Sequence, residues 1–211
     1  MKPIFRALSL LALSATVASA QDTWTGTYSV PSGGVAQFAW GGLGIGGYRG
    51  TLPAGAPAPI TGNGGFDFWC VDAVGTYGGG EVVVSRISSL DVGPLKTSLA
   101  KAAYLTTLRS SFNTNALMSN LHGAIWSLTS GYRTGWTPSD QNAVNALIAQ
   151  ANANYQTVDL RNFYYVKFTN GHRQEQIYQG PPPVTVPEPS SLSLLALGGL
   201  LVGVARRRRL S

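Results

Sequence analysis

The chain carries a single cysteine, and Cys70 is therefore the one thiol available for chemistry. It stands in Phe68-Trp69-Cys70-Val71-Asp72, an aromatic and β-branched stretch. The first of two histidines, His122, lies further on in Asn120-Leu121-His122-Gly123-Ala124-Ile125-Trp126. A thiol beside an imidazole can fall from its usual pKa of about 8.5 to about 3.5–7.5, and the thiolate so formed is a nucleophile. Asp72 or Asn120 would then orient the ring. The plain alternative is that Cys70 is a small buried apolar residue and His122 a hydrogen-bonded helix residue. No oxyanion motif or nucleophile elbow accompanies the pair, so an enzyme is not the expected class. One cysteine closes no internal disulfide. His122 and His172 are far apart and complete no metal-ligand spacing with it, so neither metal nor cofactor is expected. The glycine clusters at 41–44 and 46–47 precede no phosphate-binding helix and read as turns. Among the five tryptophans, Trp136 in the 131–137 loop is the candidate for stacking on a sugar, although tryptophan mostly serves cores and their rims.

The two segments together resemble the paired motifs of bacterial thioester domains, an aromatic-Cys-apolar-Asp strand and a helix reading apolar-Gln-x-Ala-apolar-Trp. The resemblance spans residues 66–126 and rests on Cys70, Asp72, Leu121, Ala124, Ile125 and Trp126. It implies a β-rich domain in which a cysteine sulfur and a glutamine side chain form an internal thioester, a masked electrophile that traps amines. Where the helix motif carries glutamine, this chain has His122. Imidazole has no carbonyl to serve as the acyl half, so a Cys70–His122 thioester is chemically impossible. Other glutamines, Gln37 among them, do not sit in the matching helix. The expectation is a thioester-like domain without its bond.

These residues need strands and helices to hold them. Alternating apolar positions at 23–28 and 35–40 read as strands, as do 66–71 and 81–87, separated by glycine turns and a Pro/Gly/Ala loop at 51–65. From Pro94 the period becomes helical, through Leu95, Leu99, Ala102, Ala103 and Leu105 to about Leu108. A second helix covers 115–128, with Leu117, Met118, Leu121, Ala124, Ile125 and Leu128 on one stripe and Gly131 as its stop. Thr137-Pro138-Ser139-Asp140 supplies a cap, a proline and a capping acid for a third, through Val144, Leu147, Ile148 and Ala151. Residues 162–168 and 173–178 flank Asn170-Gly171 as a hairpin.

The two ends carry addresses. Met1-Lys2-Pro3-Ile4-Phe5-Arg6 is a basic stretch before an apolar run at 7–17, and Ala18-Ser19-Ala20 is a small-residue cleavage site. This predicts a Sec-type signal peptide over 1–20, cut by signal peptidase before Gln21. At the other end Pro187-Glu188-Pro189 leads into an apolar run at 190–205 and then Arg206, Arg207, Arg208 and Arg209. As a helix that run reaches about 24 Å, somewhat short of the ~30 Å hydrocarbon core, and spans with the help of snorkelling arginines. The arginines keep the C-terminus cytoplasmic. Proline-acid-proline, apolar span and arginine cluster in that order resemble the PEP-CTERM sorting signal of Gram-negative bacteria. That resemblance implies export, a transient inner-membrane anchor and processing by an exosortase, a membrane transpeptidase-like enzyme, with delivery to the cell surface or medium.

The addresses change the meaning of the charge. Of 15 Lys+Arg against 9 Asp+Glu, Lys2, Arg6 and the four C-terminal arginines lie in the targeting segments. With Glu188 of the sorting segment also set aside, nine basic residues face eight acids, so the formal net charge of +6 carries no implication of nucleic-acid binding. Low charge and abundant glycine favour a loop-rich β architecture.

The predicted organisation is a signal peptide at 1–20, one α+β domain at 21–180, a proline-rich linker at 181–186 and the sorting signal at 187–211 with its transmembrane helix. The domain is expected to be a sandwich- or barrel-like β frame with a helical insert. The expected role is structural or adhesive, in biofilm or in a polysaccharide-associated envelope. The alternatives are a glycan-binding adhesin and a Cys70–His122 thiol enzyme.

Overall fold

The computed structural model describes residues 22–29, 38–40, 43–45, 47–48, 51–60, 68–73, 75, 78–111, 114–133, 137–170 and 173–181. All of them belong to one compact unit, Gln21–Pro183. The signal peptide, the cleavage residues Ala18 and Ala20, the sorting motif with its apolar run and arginines, Trp136 and Gly171 lie outside the described residues.

The strands are β1 (Thr23–Tyr28), β2 (Phe38–Trp40), β3 (Leu43–Ile45), β4 (Gly47–Tyr48), β5 (Phe68–Cys70), β6 (Gly80–Arg86), β7 (Phe163–Phe168) and β8 (Gln176–Gln179). The helices α1 (Pro94–Thr107), α2 (Asn115–Thr129) and α3 (Pro138–Asn154) fall between β6 and β7. Six strands form one sheet in the order β1-β6-β7-β8-β5-β4, and β2 pairs with β3 separately. Every pairing is antiparallel. The mixed α and β composition and the inserted helices agree with the sequence. The sandwich or barrel expectation does not: among the described residues the large sheet is open, and helices rather than a second sheet cover one of its faces.

Alternation decides which residues meet which layer. Trp69, Phe163, Tyr165 and Ile177 face the helices and pack with Leu99, Ala103 and Leu105 of α1, Met118, Leu121 and Ile125 of α2 and Val144 and Leu147 of α3. The residues between them, Phe68, Cys70, Tyr164, Val166, Phe168 and Tyr178, turn to the other face with Val82, Val84, Trp24 and Tyr28. Residues 51–60 cross that second face. The Ile60 N–H donates to the Gln179 carbonyl at 2.7 Å, the Tyr178 hydroxyl donates to the Pro57 carbonyl at 3.0 Å, and Leu52 and Ala56 pack on the aromatic layer. Trp126 of α2 also joins this layer.

The helices start and stop where the sequence provides caps. Thr137 and Asp140 form a reciprocal capping box with Pro138 in the first turn of α3, satisfying N–H groups that no helical carbonyl can reach. The Thr114 hydroxyl accepts from the Leu117 N–H at the start of α2. Gly131, at φ +71°, follows the end of α2 in the left-handed conformation that only glycine adopts cheaply. Two positions of the predicted apolar stripes are exposed, Leu95 and Leu117, each within the first turn of its helix.

One buried charge ties the two ends of the domain together. Arg86 is 5% exposed. Its Nε donates to Asp22 at 2.7 Å, and its Nη1 donates to the Tyr164 hydroxyl at 2.6 Å and to the Arg161 carbonyl. The guanidinium carbon lies 4.8 Å from the Tyr164 ring centroid, within cation–π range. The Tyr164 hydroxyl donates in turn to the Pro181 carbonyl at 3.0 Å. Gly180 allows this approach, because a Cβ there would stand 2.7 Å from the Tyr164 ring. Replacing Arg86 with Met strands the Arg161 carbonyl, removes the bond that the Tyr164 hydroxyl accepts and leaves Asp22 without its cation, and is expected to cost about 3 kcal/mol or more. Asp22→Ala removes only the partner that is 42% exposed, at an expected cost of about 1 kcal/mol. Urea unfolding of the two variants checks this ranking, and equal losses would contradict it.

Candidate functional site

Cys70 ends β5 opposite Gln176, the first residue of β8. The next pair along, Val71 and Glu175, is joined by a hydrogen bond from the Val71 N–H to the Glu175 carbonyl at 2.8 Å. Bonded and non-bonded pairs alternate in an antiparallel ladder, so Cys70 and Gln176 form a non-hydrogen-bonded pair, with Cα atoms about 4.5 Å apart and side chains at their closest. Both point to the aromatic face, since their neighbours Trp69 and Ile177 face the helices. Both are 0% exposed. Neither polar atom of the Gln176 carboxamide has a hydrogen-bond partner.

In a non-hydrogen-bonded pair the backbone groups of Cys70 point away from β8, toward the β4 side. Among the described residues β4 pairs with Phe68 and Trp69, and the Cys70 carbonyl is met by His122. Its Nε2 lies 2.9 Å from that carbonyl, and because a carbonyl only accepts, Nε2 carries the proton. Thr129 donates to the carbonyl of Val71. His122, Trp126 and Thr129 are spaced to share one face of α2, which runs alongside Cys70 and Val71. The imidazole packs against Trp126, with centroids 4.6 Å apart, and against Trp69 at 5.8 Å.

The sequence led us to expect the Cys70 thiol and the His122 imidazole side by side, and the structure brings the two residues together differently. The thiol donates to the Asp72 backbone carbonyl at 2.9 Å, while Nε2 of His122 meets the Cys70 carbonyl. Burial pushes the thiol up to about 12, outweighing the lowering effect of the Asp72 backbone and of the Trp126 indole N–H. Burial likewise pushes His122 down to about 4, against the raising effect of its bond to the Cys70 carbonyl. Both shifts favour the neutral forms, so a thiolate–imidazolium pair is disfavoured at neutral pH. Asp72 lies beside the thiol through its backbone. The Asp72 and Glu175 carboxylates both act to raise the Cys70 pKa, and Tyr165 donates to Glu175.

Gln176 is the member of this site that the sequence reading missed. It lies in the predicted 173–178 strand, but the resemblance directed attention to a glutamine in α2. Trp126, one of the residues that carry the resemblance, also belongs to the site: its buried Nε1 has no hydrogen-bond partner by geometry but lies near enough to Cys70 to favour a charged sulfur. Among the described residues no group of three or more His, Cys, Asp or Glu could hold a metal ion.

The buried histidine gives a pH signature. An unfolded histidine titrates near 6.5, whereas His122 in the fold stays neutral until about 4. Between those values only the unfolded chain takes up the proton. The stabilisation is therefore complete above pH 6.5 and is lost on acidification to pH 4, by about 3 kcal/mol. Chemical denaturation across that window is expected to show the loss in the wild type and a clearly shallower slope in His122→Gln, whose amide can still donate to the Cys70 carbonyl. Equal slopes would contradict it.

Among the described residues no helix is long and apolar enough to cross a membrane, and the predicted span at 190–205 lies outside them. No curated protein and no solved structure matches the chain. Residues 185–209 do match the PEP-CTERM protein-sorting motif. The chain is similar at its C-terminus to proteins bearing that motif, which marks an exported protein that is held transiently at the membrane, processed by an exosortase and sorted to the cell surface.

Proposed function

We propose that this protein is a covalent surface adhesin whose reactive element is an internal thioester between Cys70 and Gln176. The carrying observation is the opposed, fully buried Cys70–Gln176 pair with its unpartnered carboxamide. Closure forms the Sγ–Cδ bond and breaks the Cδ–Nε2 bond, and the thiol hydrogen departs with the nitrogen as ammonia. An unsatisfied buried polar group costs about 1–3 kcal/mol, and closure removes the Nε2 donor altogether. Fixed proximity supplies the remaining advantage, since two groups on directly opposed positions of one ladder react as if at high concentration. An amine that attacks Cδ then forms an amide with Gln176 and returns the thiol to Cys70. That is a trap used once, not a turnover cycle, so the protein is read as a binding protein and not as an enzyme.

This reading keeps the thioester-domain resemblance but moves the acyl partner from α2 to β8, and His122 becomes a support for the strand that carries the cysteine. Export and exosortase sorting are the setting such a trap requires. We place its role in adhesion within a biofilm or polysaccharide-rich envelope, where amine-bearing surfaces are the targets. Because both side chains are buried, capture is gated by local opening of the fold, which makes small amines the suitable probes.

Intact mass of the mature domain is expected to be lower than the sequence mass by one ammonia, and to rise by one methylamine after incubation with that amine. Gln176→Ala and Cys70→Ala should both show the unmodified mass and no adduct. A wild-type domain at full sequence mass, with a freely alkylated Cys70 after unfolding, would sink the proposal. For the sorting tail, replacing Arg206, Arg207, Arg208 and Arg209 with Ser is expected to accumulate uncleaved precursor in cell fractions. Unchanged processing and delivery would count against the anchor.

A further inference from the structure

The α2 stripe facing Cys70 and Val71 contains one group without a task. His122 takes the carbonyl of Cys70, and Thr129 takes that of Val71. Trp126 lies between them on the same stripe, 1% exposed, in the same packed layer as Cys70. Its Nε1–H is buried and has no hydrogen-bond partner. A buried indole N–H normally finds an acceptor, and one that has none in the resting state is free to serve a charge that appears only during reaction.

We propose that Trp126 is a catalytic residue of the thioester, its indole N–H stabilising Cys70 Sγ as the leaving group when a nucleophile opens the bond. This rests on the Cys70–Gln176 reading above. An amine attacks Gln176 Cδ, the Cδ–Sγ bond breaks, and its electron pair goes to sulfur. The proton shed by the attacking nitrogen finally restores the thiol. Between those events the sulfur carries negative charge in a buried, largely aromatic layer that penalises it. Trp126 packs in the same layer as the sulfur, and its indole N–H acts to favour a charged sulfur. The imidazole cannot substitute while its proton is committed to the Cys70 carbonyl.

The test is the rate of methylamine incorporation into full-length mature protein, followed by intact mass at one mildly alkaline pH. Trp126→Phe keeps an aromatic ring and removes the N–H. It is expected to form the thioester, seen as the same loss of ammonia, and to react with methylamine roughly a hundredfold more slowly. A rate within twofold of wild type, with the thioester formed, overturns the role of Trp126 and leaves the thioester intact. A wild type without ammonia loss overturns both. Should Trp126→Phe fail to fold, incorporation of the isosteric benzothiophene analogue at Trp126 makes the same comparison, with the same two outcomes.

Discussion

The register of β5 against β8 is the constraint on which the site depends. Sliding β5 by a single residue would put Trp69 in place of Cys70 on the aromatic face, and would turn the thiol toward the helices. The structure fixes this register from both sides. Across the ladder, the Val71 N–H to Glu175 bond sets the phase of the hydrogen-bonded pairs. From α2, His122 and Thr129 grip the carbonyls of Cys70 and Val71, so the strand cannot slide without losing two buried hydrogen bonds. On the aromatic face the stacked rings of Tyr164 and Tyr178, with centroids 5.0 Å apart, hold β8 against β7.

Burial then chooses the kind of chemistry the site can host. Desolvation raises the thiol and lowers the imidazole, which works against an ion pair that would require both charged. A reaction between neutral groups faces no such penalty. The same desolvation makes an unpaired carboxamide expensive, so one physical cause disfavours the thiol–imidazole enzyme and favours condensation of thiol with carboxamide. The histidine is better understood as a substitute strand partner. It satisfies the Cys70 carbonyl, and the rings of Trp69 and Trp126 pack against it.

Local features of the fold were legible because their causes are local. The capping box at Thr137 and Asp140, the proline opening α1, the left-handed Gly131 and the apolar stripe of α2 each depend on residues within a turn or two. The antiparallel pairing of β7 with β8 was likewise readable from two strand-like segments near each other in the chain. The sheet order was not, because β1 pairs with β6 and β5 with β8 across long stretches of sequence, and strand alternation does not name a partner. That is also why Gln176 escaped notice while His122 attracted it. A polar residue on an apolar helix stripe stands out in one dimension, whereas a glutamine at the start of a strand becomes conspicuous only when the facing strand supplies a thiol. The sorting signal was readable without any fold, since composition and order alone define it.

The two ends of the domain and the Cys70–Gln176 pair are parts of one packed system. Asp22, near the predicted start of the mature chain, and Pro181, at the start of the predicted linker, converge on Arg86 and Tyr164. Tyr164 lies opposite Tyr178 in the β7–β8 ladder, and Gln176 follows two positions along the same face. The guanidinium, the two stacked rings and Gln176 thus lie along one strand pair. Loosening Arg86 would free the end of β8 and weaken the register that opposes Gln176 to Cys70. The chain thus leaves the domain from the same strand that carries Gln176, and the order of that strand bears on both.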